Sequence, residues 1–244
     1  MNTTTNTATL NPATTIPSLV SFDLYRDIHK AIRNELFAVT AEAGRVDPND
    51  RIARADHAAR VHALVDLLVQ HAKHEDSNLD VEINRLDPAL GAEIEAAHAE
   101  LESRIERIAG LADAALAGRD DRAGSHALYL ELAAFTASYL QHQDFEERVV
   151  MRTLAEDLEF EELLDLHERI LASVEPAVMV RCLTLMLPAI NIVDRTEMLA
   201  GMRAGAPAEA FAATWALAGD VLPTREYLAT ASRLGLAVDS AKIG

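Results

Sequence analysis

From about residue 19, apolar positions recur every three or four residues almost to the end of the chain. That spacing lines one face of an α-helix, and breakers divide it into elements. The first predicted helix covers 19–43 and stops at Gly44 and the loop 45–49. The second starts near Asp50, whose side chain suits an N-cap, and continues to about Asn84. Asp87 and Pro88 give a start signal for the third, with Asp as cap and Pro in the first helical position. Gly118 closes that helix, and the Asp120-Asp121 pair opens a fourth that runs to about Leu154. Four long helices on short loops predict an antiparallel up-down four-helix bundle.

Beyond about Glu159 the pattern stays helical but is more broken. Pro176, Pro188, Pro207 and Pro223 cut it into pieces of roughly ten to fifteen residues. No repeat is visible there in the residue identities. The expected fold is therefore all-α, with a tail at 1–18, a bundle at 19–155 and a C-terminal helical extension at 156–244.

Composition supports helix. Half of the residues are hydrophobic but only 5% are aromatic, and Gly and Pro are few. The net charge of −17 comes from 39 acidic against 22 basic residues. It argues against nucleic acid or an anionic membrane surface as a general partner. The single Cys182 excludes an intrachain disulfide and reads as a small core residue. The Thr-rich opening has neither a basic start nor an apolar run, so it reads as a disordered tail and not as a secretion signal. No stretch approaches the ~18 apolar residues of a membrane span, and a cytoplasmic location is expected. Nucleophile motifs, Gly-rich phosphate loops, paired cysteines and nucleotide fingerprints are lacking.

The candidate chemistry lies on the inward stripes. These read Phe22, Tyr25, His29, Ile32, Leu36 in the first helix and Val61, Leu64, Leu68, His71, Glu75 in the second. The third gives Ile94, His98, Leu101, Ile105, Ile108, and the fourth Phe135, Tyr139, His142, Glu146, Val149. Residues four apart stack one turn over each other, so His71/Glu75 and His142/Glu146 each bring two donors to one point. A buried carboxylate without a partner is costly, and two of them beside histidines call for a shared cation. Depth agrees for three helices. His71 lies 16 residues before Asp87 and His98 11 after it, while His98 lies 20 before Gly118 and His142 21 after Asp121. His29 lies 15 before Gly44 but His71 is 21 after Asp50, which requires a second helix that overhangs at its start or a longer first loop. The remaining histidines are assigned no role. His57 and His62 lie off the stripe, His126 lies in a first turn, His74 is rotated away, and His167 belongs to the extension.

The motifs YRDIHKAI around His29, QHAKHE ending at Glu75, EAAHAELE around His98 and HQDFEE from His142 resemble the hemerythrin family, the HHE cation-binding domains. The resemblance implies two iron ions between the helices, bridged by Glu75 and Glu146, although His/Glu sites also accept manganese or a mixed pair. One position departs. Oxygen-carrying hemerythrins have a second His four residues after the one on the third helix, and here that residue is Glu102. Glu102 is either a seventh ligand, giving the set His29, His71, Glu75, His98, Glu102, His142 and Glu146, or a surface residue beside Ser103. As a ligand it would favour the harder, oxidised ion.

The resemblance implies a non-haem di-iron oxidoreductase that reacts with dioxygen or peroxide, with a small-molecule substrate. The alternative is a protein that binds or senses dioxygen, nitric oxide or iron without turnover. A purely structural helical domain would leave the buried carboxylates unexplained. The extension either packs on the bundle to cover its apolar surface or lids a substrate pocket beside the metals.

Overall fold

The computed structural model describes residues 22–117 and 122–237. The predicted tail at 1–18 and the signals at Gly118 and Asp120-Asp121 lie outside the described residues.

Capping explains where the helices begin. The Asp23 carboxylate accepts the backbone N–H groups of Tyr25 and Arg26 at 3.0 and 2.9 Å, so α1 spans Arg26–Ala43 and starts later than the apolar pattern suggests. Asp50 accepts from Ile52 and Ala53 at the head of α2, Arg51–Leu86, a cap worth about 1 kcal/mol. Asp87 alone separates α2 from α3, Pro88–Ala117, and its carboxylate accepts from Ala89 and Leu90. The fourth predicted helix proves to be three segments. These are α4 (Arg122–Phe145), one π-helical turn (Glu146–Val150) and α5 (Met151–Asp157). A π turn inserts an extra residue into the helical repeat, and the buried seam passes to Val150 and Leu154 while Val149 is exposed.

α1 packs against α2 and α4, and α3 packs against the same two, closing a ring of four. Contacts between α1 and α2 run in opposite order along the two helices. Arg60 of α2 reaches Glu42 and Glu35 near the end of α1, and further along α2 Glu75 meets His29 near the beginning of α1. The first turns of α2 thus project past the end of α1, which accounts for the six-residue offset in depth between His29 and His71.

The core of this ring is divided in two. One apolar cluster contains Ile32, Leu36, Leu68, Leu101, Phe135 and Tyr139. The other contains Tyr25, Leu79, Ile94, Val150 and Met151 and is completed by Leu163 and Leu166 from beyond α5. In each helix of the ring the change from one cluster to the other falls at a His or a His/Glu pair. The polar residues form a layer between two dry ones.

The extension comprises α6 (Phe160–Ser173), α7 (Pro176–Ala189), α8 (Ile192–Gly205), α9 (Ala208–Val221) and α10 (Thr224–Leu234). Pro176 opens α7, and Pro207 and Pro223 stand immediately before α9 and α10, as breakers should. Pro188 instead lies inside the last turn of α7. The five helices start 16 residues apart, a regularity not evident in the sequence, and each follows a two-residue linker whose first residue is apolar: Leu158, Val174, Ile190, Ala206 or Leu222. Arg195 ties the array together from within, donating to the Leu187 and Ile190 carbonyls at 2.7 and 2.8 Å and to Glu226 at 2.8 Å. α6 packs on α2 and α7 on α1. Asp194 of α8 pairs with Lys30 and Arg26 of α1. Among the described residues no single helix is long and apolar enough to cross a membrane.

Candidate metal centre

His29, His71 and Glu75 form one group whose donor atoms all lie within 4.8 Å of one another, and His98, His142 and Glu146 form a second. His29 comes from α1, the His71/Glu75 pair from successive turns of α2, and His98 from α3. His142 lies in the last turn of α4, and Glu146 opens the π turn.

The two carboxylates join the groups. Glu75 turns Oε1 to His71 Nε2 at 3.1 Å and to His29 Nε2 at 3.8 Å, and Oε2 to His98 Nε2 at 3.9 Å. Glu146 does the reverse, with Oε1 at 3.0 Å from His142 Nε2 and 3.6 Å from His98 Nε2, and Oε2 at 3.4 Å from His29 Nε2. Each carboxylate therefore presents one oxygen to each group, the disposition of a bridge between two cations. Donors that share one ion at about 2.1 Å stand about 3 to 3.5 Å apart, close to the shorter of these separations.

Four of the converging atoms, His29 Nε2, His71 Nε2, Glu75 Oε1 and Glu146 Oε2, are buried without a hydrogen-bond partner. Orphaned atoms of this kind are costly in a dry core. Convergence of two imidazole nitrogens and two carboxylate oxygens on a small volume suits a divalent cation pair.

The profile of the hemerythrin HHE cation-binding domain matches residues 20–154, more than half of the chain. The chain belongs to the hemerythrin HHE cation-binding family. No curated protein and no solved structure matches it. Members of this family bind metal ions, typically iron, and the two His/His/Glu groups are this chain's candidate sites. All six residues fall inside the matched segment, whereas α6 to α10 lie beyond it.

Of the seven residues singled out in the sequence, the hemerythrin-like core brings six together. Glu102 is the exception: it is exposed and belongs to neither group. The seam of α3 steps from His98 to Leu101 and then to Ile105, both buried, and this turns the intervening Glu102 outward. Several residues that the motifs did not indicate do reach the cluster. Glu147 accepts from His29 Nδ1 at 3.0 Å and from Arg33 Nη1 at 2.7 Å. Asp76 lies 2.8 Å and Asp80 3.6 Å from His98 Nδ1. The doubled Glu in HQDFEE was the available signal for Glu147, but its direction depends on the π turn. Asp76 directly follows Glu75, and nothing in the stripe pattern distinguishes it from a solvated acid. The histidines given no role lie outside both groups. His57 is buried with Nε2 3.2 Å from the Val39 carbonyl, His62 pairs with Asp113, His74 meets Ser173, and His167 packs edge-on against Phe22.

The crowding of ionisable groups displaces their titration. Burial works against charge on His29, but the hydrogen bond to Glu147 and the nearby Glu75 and Glu146 carboxylates prevail and raise it to about 9. His98 likewise rises to about 10, with Glu146, Glu75 and Asp76 outweighing burial. His71 is lowered to about 3, first by burial and then by the neighbouring His29. Glu75 is raised to about 8 by burial and by Glu146. Glu146 is held well below the ordinary carboxylate range because His142 and His98 overcome its burial. At neutral pH the ligand cluster by itself therefore holds protons where a cation pair would bind.

Proposed function

We propose that the hemerythrin-like segment is an antiparallel up-down bundle at 19–155 that carries a dinuclear iron centre. One ion is held by His29, His71 and Glu75, the other by His98, His142 and Glu146, with both carboxylates bridging. The observation that carries this reading is the crossed arrangement of Glu75 and Glu146, each with one oxygen toward each histidine pair. Manganese or a mixed pair satisfies the same donors.

We further propose that the centre makes the protein an oxidoreductase acting with dioxygen or peroxide. Bound ferrous iron supplies the electrons for that reduction. The chain's own residues provide the setting. Ile32, Leu68, Leu101, Phe135 and Tyr139 exclude water from one side of the polar layer, and Tyr25, Ile94 and Met151 from the other. In the extension, α6 packs on α2 and closes the second cluster, and α7 packs on α1. A reducing, cytoplasmic setting suits a centre that must be loaded in the ferrous state.

A second reading, a binding or sensing protein for dioxygen or nitric oxide, gains support from the burial of the cluster. His29 is wholly buried. Diatomic ligands need far less room than an organic substrate. Aerating ferrous-loaded protein with and without an electron donor separates the two readings. Repeated consumption of dioxygen or peroxide supports the oxidoreductase. A spectrum that returns to the ferrous form when dioxygen is removed, without net consumption, supports the sensor.

A further inference from the structure

Glu146 and Glu147 are adjacent, yet both face protein. Successive residues of an α-helix point about 100° apart, and Glu146 already points to the centre of the ring. Glu147, in the π turn, faces α1. Its Oε1 lies 3.0 Å from Nδ1 of His29 and 2.7 Å from Nη1 of Arg33, one turn further along α1. His29 has no exposed surface, and its other nitrogen, Nε2, is unpartnered and faces Glu75 and Glu146. An imidazole offers a lone pair at only one nitrogen when the other carries hydrogen. A carboxylate fixed at Nδ1 decides which nitrogen that is and holds the ring plane.

The other histidines of the cluster are held differently. His142 Nδ1 is buried without a partner. His98 Nδ1 does meet a carboxylate, but Asp76 is 57% exposed and no cation anchors it among the described contacts. Glu147 is 28% exposed and is braced by Arg33. The two halves of the centre are thus supported unequally.

We propose that Glu147, braced by Arg33, is a positioning residue that fixes His29 with Nε2 toward the metals and so sets the affinity of the ion held by His29, His71 and Glu75 in particular. The inference rests on the dinuclear reading above. It goes further in assigning one half of the site to a residue that is not itself a ligand.

Cobalt(II) titration of the metal-depleted full chain tests it, with the visible d–d bands and the bound-metal stoichiometry as readouts. Wild type takes up two ions. In Glu147→Ala one ion weakens by about 10- to 100-fold, the loss typical of removing such a partner, while the other ion and the helical circular dichroism stay unchanged. Glu147→Gln keeps an acceptor oxygen and loses less. Arg33→Met weakens the same ion by a smaller factor. Two ions bound with wild-type affinities in Glu147→Ala, or an equal loss of both, would overturn the proposal. If the alanine variant does not fold, the Gln and Met variants decide by the same criterion. Absence of uptake by wild type would instead overturn the dinuclear reading itself.

Discussion

Metal loading at neutral pH must displace protons, and their number follows from the cluster. In the metal-depleted protein His29, His98 and Glu75 titrate at about 9, about 10 and about 8. His29 and His98 hold protons at pH 7 because Glu75 and Glu146 face them as carboxylates, so Glu75 does not add a third, and His71 and Glu146 are shifted down. A ligand must lose its proton to bind, so filling both positions releases about two protons per chain. The overall binding constant for the pair then rises about 100-fold per pH unit near neutrality, and the dependence flattens toward pH 10. Titration calorimetry in buffers of different ionisation enthalpy counts these protons from the slope of apparent heat against buffer heat. A slope near zero at pH 7 would refute the electrostatic account of the cluster. Stability of the metal-depleted protein follows with a definite sign. The folded-state values of His29 and His98 lie above the ordinary 6.5, and that of Glu75 lies above the ordinary 4.5. Their contribution is full below those ordinary values and is lost as pH rises through about 8 to 10. Its melting temperature therefore falls on that rise, while the loaded protein gains relative to it.

Other outcomes follow from particular contacts. Glu102→Ala leaves metal stoichiometry and spectrum unchanged, because Glu102 is exposed away from both groups. Atomic absorption on the purified variant checks this, and loss of one ion would restore Glu102 as a ligand. Arg195→Ala leaves the Leu187 and Ile190 carbonyls without their donor and destabilises the extension by about 3 kcal/mol. Urea unfolding followed by Trp215, stacked on Tyr227 at 4.5 Å, reports that region directly, and an unchanged midpoint would contradict the role given to Arg195.

The residues that are legible in the sequence are those whose direction follows from uniform helical spacing. His29, His71, Glu75, His98, His142 and Glu146 interrupt apolar stripes at three- and four-residue steps, so their convergence can be read before any coordinates. The same spacing misleads where the helix is not uniform. Val149 continues the stripe on paper, but the π turn moves the buried position to Val150. It also decides where Glu147 points, which no α-helical periodicity conveys. Glu102 shows a different limit. It lies four residues from His98, yet Leu101 and then Ile105 take the inward steps of α3 and Glu102 is exposed. The 16-residue spacing of α6 to α10 escapes a comparison of identities because the repeated linker positions share only apolar character.

Iron stoichiometry tests the central claim most directly. Metal-depleted full chain is titrated anaerobically with ferrous iron, freed of excess, and weighed by native mass spectrometry. The account predicts saturation at two ions per chain in wild type and loss of bound iron in the Glu75→Ala, Glu146→Ala double variant. Saturation at one ion, or no retained iron in wild type, would contradict it.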